Sequence, residues 1–147
     1  MLVEILKELL NRDLNKLKLE IESYQNETLI WAVDKNITNC AGNLCLHIVG
    51  NLNTYIGAVI GKTGYVRNRD AEFSLKNVSR TELLGQIDNV ISVINRSLVN
   101  LTQEDLDKEY PLQVFKEKTT TSYFLIHLTT HLAYHLGQVN YHRRLLD

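Results

Sequence analysis

Proline occurs once, at Pro111, cysteine twice, and neither sign of charge is in excess. Each shortage closes off a class of protein. Two cysteines, Cys40 and Cys45, make no disulfide scaffold, and their offset on one predicted helix sets them about 100° apart around its axis, so they do not bridge. They read as small buried hydrophobes in a reducing compartment. Sixteen basic against seventeen acidic side chains leave a formal charge of -1. Such a chain has no global field for phosphate backbones or anionic lipid, which argues against nucleic-acid and membrane partners. No apolar run approaches the roughly 20 residues that span a bilayer. The opening Met1-Leu2-Val3-Glu4 lacks the basic stretch of a signal peptide, so a cytoplasmic location is expected.

What is present is an ordinary globular composition. The chain has 147 residues, 44% hydrophobic and 22% charged, with a mean hydropathy of -0.17. That excludes disorder and fibres and is enough for one core, so a single domain over residues 1–147 is expected. Leu10, Leu14, Leu17, Ile21 and Tyr24 repeat at steps of four and three, which predicts an amphipathic helix from Leu2 to Tyr24. Residues 25–36 form a connection with Trp31 as a core anchor. A second helix is expected from Thr38 to Ile60, capped by Thr38 or Asn36 and closed by Gly61 in the left-handed conformation.

A long loop follows. Ser79 and Glu82 have the spacing of a capping box, and Leu84, Ile87, Ile91, Ile94, Leu98 and Leu101 then repeat at three and four. A second long connection holds Pro111 and a short turn from Thr102 to Asp107. Thr119 to Thr121 offer caps for a last helix that runs to Leu146. The expected fold is all-α: a four-helix bundle with long connections between helices 2 and 3 and between helices 3 and 4.

The chemistry sits in the histidines. On the last helix His127, His131, His135, Gln138 and His142 fall within an arc of about 80°. Phe124, Leu128, Leu132 and Val139 lie on or beside that arc, so the histidines point inward. On the mostly apolar second helix His47 shares a polar stripe with Asn43, Asn51 and Thr54. Imidazoles and amides buried without partners cost roughly 1–3 kcal/mol each, so the two stripes are expected to face each other. Histidines at i and i+4 can lean onto one ion, and His47 would supply a third nitrogen. The alternative is a hydrogen-bonded network that only fixes helix register.

Three consecutive turns span about 12 Å, too far for His127 to join His131 and His135 on one ion, so His127 is placed in the pocket wall. His142 reads as structural or surface. No Glu-x-x-His and no His-Glu-x-x-His occurs, which argues against di-iron and zincin chemistry, and no glutamate base is evident.

His47, with His131-Leu132-Ala133-Tyr134-His135-Leu136-Gly137-Gln138, resembles the DinB-like (DinB/YfiT) superfamily of metal-dependent four-helix proteins, which includes bacillithiol and mycothiol S-transferases. The resemblance covers the helix order and the long connections. It implies a metal centre of His47, His131 and His135 with an open position. Zinc leads among the divalent ions, with nickel, iron and manganese as alternatives. Many members have arginine before the Gly-Gln pair, where this chain has Leu136.

The implied function is that of a thiol S-transferase or hydrolase acting on a small-molecule substrate, with a low-molecular-weight thiol as cosubstrate. The second reading is a non-catalytic metal-stabilised or ligand-binding module. Asn51 and Gln138 are candidates to orient an imidazole or bound solvent, and Arg67 and Arg69 to receive a substrate carboxylate. The apolar stripe of the first helix makes a homodimer an expectation.

Overall fold

Every residue from Ala41 to Leu52 is buried, and the rest of the molecule is arranged around that stretch. The computed structural model describes residues 2–147. It is all-helical, with six helices of which four are long. These are α1 (Leu2–Ser23), α2 (Ala41–Leu52, continued by a wider turn over Asn53–Ala58), α4 (Arg80–Leu98) and α6 (Thr121–Leu146). The short ones are α3 (Arg69–Ser74) and α5 (Gln103–Asp107). One hydrophobic cluster unites α1, α2, α4 and α6.

The periodicity of α1 places Leu6, Leu10, Leu14, Leu17 and Ile21 inside that cluster. The monomer's own core therefore covers the stripe that suggested a dimer. α2 needs no amphipathic pattern because neighbours surround it: α6, α4 and α3 pack on it. Such a helix must find partners for each polar side chain it carries. Asn43 finds two, its Nδ2 donating to the Glu72 carbonyl at 2.9 Å and the Leu75 carbonyl at 2.8 Å. These bonds tie the end of α3 to the start of α2.

Several boundaries differ from the sequence expectation for identifiable reasons. Cys40, not Thr38 or Asn36, occupies the N-cap of α2 and makes no side-chain cap bond, so Cys40 and Cys45 do not share a helical segment. Both are free and buried, and burial pushes the Cys45 thiol up to about 12. Gly61 is not the left-handed residue; Lys62 and Gly64 have φ of 54° and 78°. Gly61 is required by contact instead, since a Cβ there would lie 2.0 Å from Ser97 Oγ on α4.

The capping box at Ser79 forms in half. Ser79 accepts from Glu82 N at 3.2 Å, while the Glu82 carboxylate accepts from Gln86. A complete box sits at Thr102 and Asp105 and starts α5. The loop between residues 62 and 79 contains α3, started by Asn68 accepting from Ala71 N. Trp31 is half-buried against Gly42, where a Cβ would come within 2.6 Å of its ring.

Candidate metal centre

α2 and α6 bring the two polar stripes together. Tyr55 meets Phe124 edge-on with centroids 5.2 Å apart, and His47 lies 5.1 Å from both His131 and His135. The helices therefore run antiparallel, and His47 falls between the two histidines of α6. Its Nε2 is 3.2 Å from His131 Nε2, which in turn is 3.1 Å from His135 Nε2. Ligand atoms of all three lie within 4.8 Å of one another. The rings stand nearly perpendicular in pairs, at 72°, 88° and 86°, so they splay around one point.

The outer nitrogens decide how the inner ones are protonated. His47 is 7% exposed, and burial holds its pKa below the ordinary imidazole value despite the pull of Glu72. It is therefore neutral at pH 7 and carries one proton. His47 Nδ1 lies 3.0 Å from Glu72 Oε1. A carboxylate only accepts, so that proton is on Nδ1 and Nε2 presents a lone pair. At His135, Nδ1 lies 2.7 Å from Gln138 Oε1; with the carboxamide in this orientation its carbonyl accepts from Nδ1–H and Nε2 is bare. His131 stands between two lone pairs with a single proton to offer. Burial is the largest cause, and His135 the next, that pushes its pKa down to about 4.

A register-fixing hydrogen-bond network fits this pattern poorly, because one hydrogen serves two close nitrogen pairs. A cation fits it well. Two nitrogens on a tetrahedral ion with metal–nitrogen bonds of about 2.0–2.1 Å are about 3.3 Å apart; two of the three pairs are separated by 3.1 and 3.2 Å, and all three ligand atoms lie within 4.8 Å of one another. The donor set can hold a metal ion.

The carboxylate that orients His47 is a correction to the sequence reading, which saw no glutamate near the histidines. Glu72 is 5% exposed and comes from α3. Arg67 grips it twice, Nε donating to Oε2 at 2.8 Å and Nη2 to Oε1 at 2.9 Å. This bond raises the Arg67 pKa above its ordinary value. A usable signal was Gly50. Glycine inside a helix costs roughly 0.5–1 kcal/mol relative to alanine, and here it makes room: a Cβ would lie 2.1 Å from Glu72 Oε2.

The other expected site residues fall as follows. Gln138 touches His135 as stated. Asn51 is 8% exposed, and its Oδ1 is buried without a hydrogen-bond partner among the described residues. One turn beyond His47, it is level with the His127–His131 turn of α6. Arg67 is engaged with Glu72 and lies over the Tyr55 ring. Arg69 is exposed and lies over Phe73 at 5.2 Å, and Phe73 in turn packs on His47. His127 stays outside the nitrogen cluster, packed edge-on against Phe115 at 4.7 Å. His142 is buried and structural, not at the surface.

No helix among the described residues is long and apolar enough to cross a membrane. No curated protein matches the chain. A family model described as "Protein of unknown function (DUF1572)" matches residues 2–147, and the chain belongs to that family.

Proposed function

For this member of the DUF1572 family we propose a DinB-like metal-dependent enzyme, with His47, His131 and His135 holding one divalent ion and leaving a coordination position open. The observation that carries the reading is the meeting of His47 and His135 Nε2 with His131 Nε2 in one three-histidine cluster, the first two facing acceptors on the far side of their rings. Zinc suits three neutral imidazoles, with nickel, iron and manganese as alternatives. When bound, such an ion lowers the pKa of a thiol or water and makes it a nucleophile at neutral pH.

The chain's own groups would do the rest. The lone carbonyl of Asn51 would accept a hydrogen bond from whatever donor occupies the open position, which would relieve its buried, unpartnered state. Arg69, on the layer that covers His47, would attract a substrate carboxylate, whereas Arg67 is already neutralised by Glu72. The activity that follows is thiol S-transfer or hydrolysis on a small electrophile.

The test begins with elemental analysis of protein expressed without a histidine tag. About one ion per chain is expected, followed by turnover in a screen of low-molecular-weight thiols, and water alone, against electrophiles. Protein that retains no ion and binds none at micromolar concentration would end the proposal. A tightly held ion with no exchangeable solvent position would favour a metal-stabilised module instead.

A further inference from the structure

Buried Glu72 and half-buried Arg67 form an ion pair that would be complete without a third member. Two parallel hydrogen bonds already join them, and such a fork satisfies a guanidinium and a carboxylate together. Yet the carboxylate is pressed into α2, in space that exists only because residue 50 is glycine, and its Oε1 meets His47 Nδ1. Arg67 Nη2, which carries two hydrogens, also comes within 3.5 Å of that nitrogen while donating to Glu72 Oε1 at 2.9 Å, but the carboxylate is the nearer partner of His47 Nδ1, at 3.0 Å. α3 is held in this place from both sides, by Arg67 before it and by Asn43 gripping the Glu72 and Leu75 carbonyls. The placement serves His47, because an imidazole whose outer N–H is anchored to a carboxylate keeps its inner nitrogen bare, better oriented and more basic toward a cation.

Building on the metal-centre reading above, we infer that Glu72, tethered by Arg67 and admitted by Gly50, is a positioning residue that holds the His47 proton on Nδ1 and so sets the affinity of the triad for its ion. It does not touch the ion or the reacting atoms. Its substitution by glutamine keeps the size and removes the restriction, since a carboxamide can also present N–H to Nδ1 and drive the proton to Nε2, into the cluster.

The experiment has two arms. Nitrogen-15 NMR of the imidazoles in the metal-free full chain at neutral pH is expected to show His47 protonated on Nδ1, and Glu72→Gln is expected to populate the other tautomer. Cobalt(II) alone, titrated in competition with a chelator, is expected to bind Glu72→Gln about 10–100-fold more weakly than wild type. Gly50→Ala should weaken it in the same direction, because the new Cβ displaces the carboxylate without removing it. Wild-type affinity in Glu72→Gln together with an unchanged His47 tautomer would overturn the inference and leave the metal centre standing. Failure of the wild type to bind cobalt would instead remove the metal centre. If the variants do not fold, an Nε2-protonated His47 in the metal-free wild type still overturns the role given to Glu72.

Discussion

Two histidine arrangements lie about 10 Å apart along α6, and the difference between them is where their ring nitrogens find partners. His142 is 3% exposed and fully answered by protein oxygen. Tyr24 O–H donates to its Nδ1 at 2.6 Å, and its Nε2–H donates to the Ala32 carbonyl at 2.9 Å. The triad is answered on the outside only. Glu72 and Gln138 take the outer N–H groups, and the inner nitrogens face one another. His142, which serves packing, has both nitrogens matched by oxygen; the three histidines that could hold a cation turn their inner nitrogens to one another.

The sharpest way to break this contrast is to delete one ring from each arrangement. His131 joins both close nitrogen pairs, so His131→Ala is expected to reduce bound metal from about one ion per chain to a trace, read by elemental analysis. His142→Ala is expected to leave the metal content at wild type. Equal retention by the two variants would erase the distinction.

Stability should respond the other way round. Tyr24→Phe leaves His142 Nδ1 buried without a donor, a cost of about 1–3 kcal/mol. At roughly 2–4 °C of thermal midpoint for each kcal/mol, the loss is visible in a melting curve, and the metal content should not change. A variant that melts like the wild type would show that His142 is not locked as described.

A subtler difference concerns acid. His131 titrates near 4 in the folded chain but near the ordinary value of about 6.5 when unfolded. Between these values the unfolded state binds more protons, so the contribution of His131 to stability falls as the pH drops through the window and levels off below it. In metal-free protein the urea midpoint of the wild type should therefore fall more steeply from pH 6.5 to 4 than that of His131→Ala. Parallel slopes would contradict the depressed pKa. The same depression keeps protons from competing for the nitrogen at neutral pH.

The smallest effect is expected within the triad itself. Gln138 is exposed, so water can replace its carbonyl at His135 Nδ1. Gln138→Ala should weaken cobalt(II) binding by less than about tenfold, below the effect expected of the buried Glu72. A loss as large as that of Glu72→Gln would mean that burial does not separate the two partners.

Much of this was legible along the chain. The three-four repeats marked α1 and α4, because a face buried by neighbours on one side imposes that period whatever the neighbours are, and the threonines at 119 to 121 marked the start of α6. The i, i+4 pair on α6 and the lone polar stripe of α2 marked the ligand candidates for the same reason. Cap positions were less legible: Cys40 starts α2 without a side-chain bond, and Gly61 answers to Ser97 on α4, not to its own backbone angle. Glu72 itself was not legible as a partner of His47, since it reaches the ring from a six-residue helix inside a segment that reads as loop, and Gly50 signalled only that some group comes close to α2.

Local sequence, then, determined which residues could be helical, which faces were apolar and which side chains could bind an ion, since each of these depends on spacing within a few turns. Only the tertiary structure decided which nitrogen of each ring carries the proton. That choice rests on acceptors brought from elsewhere, a carboxylate 25 positions from His47 in the chain and a backbone carbonyl 110 positions from His142, and no pattern within one helix encodes where another will place its oxygen.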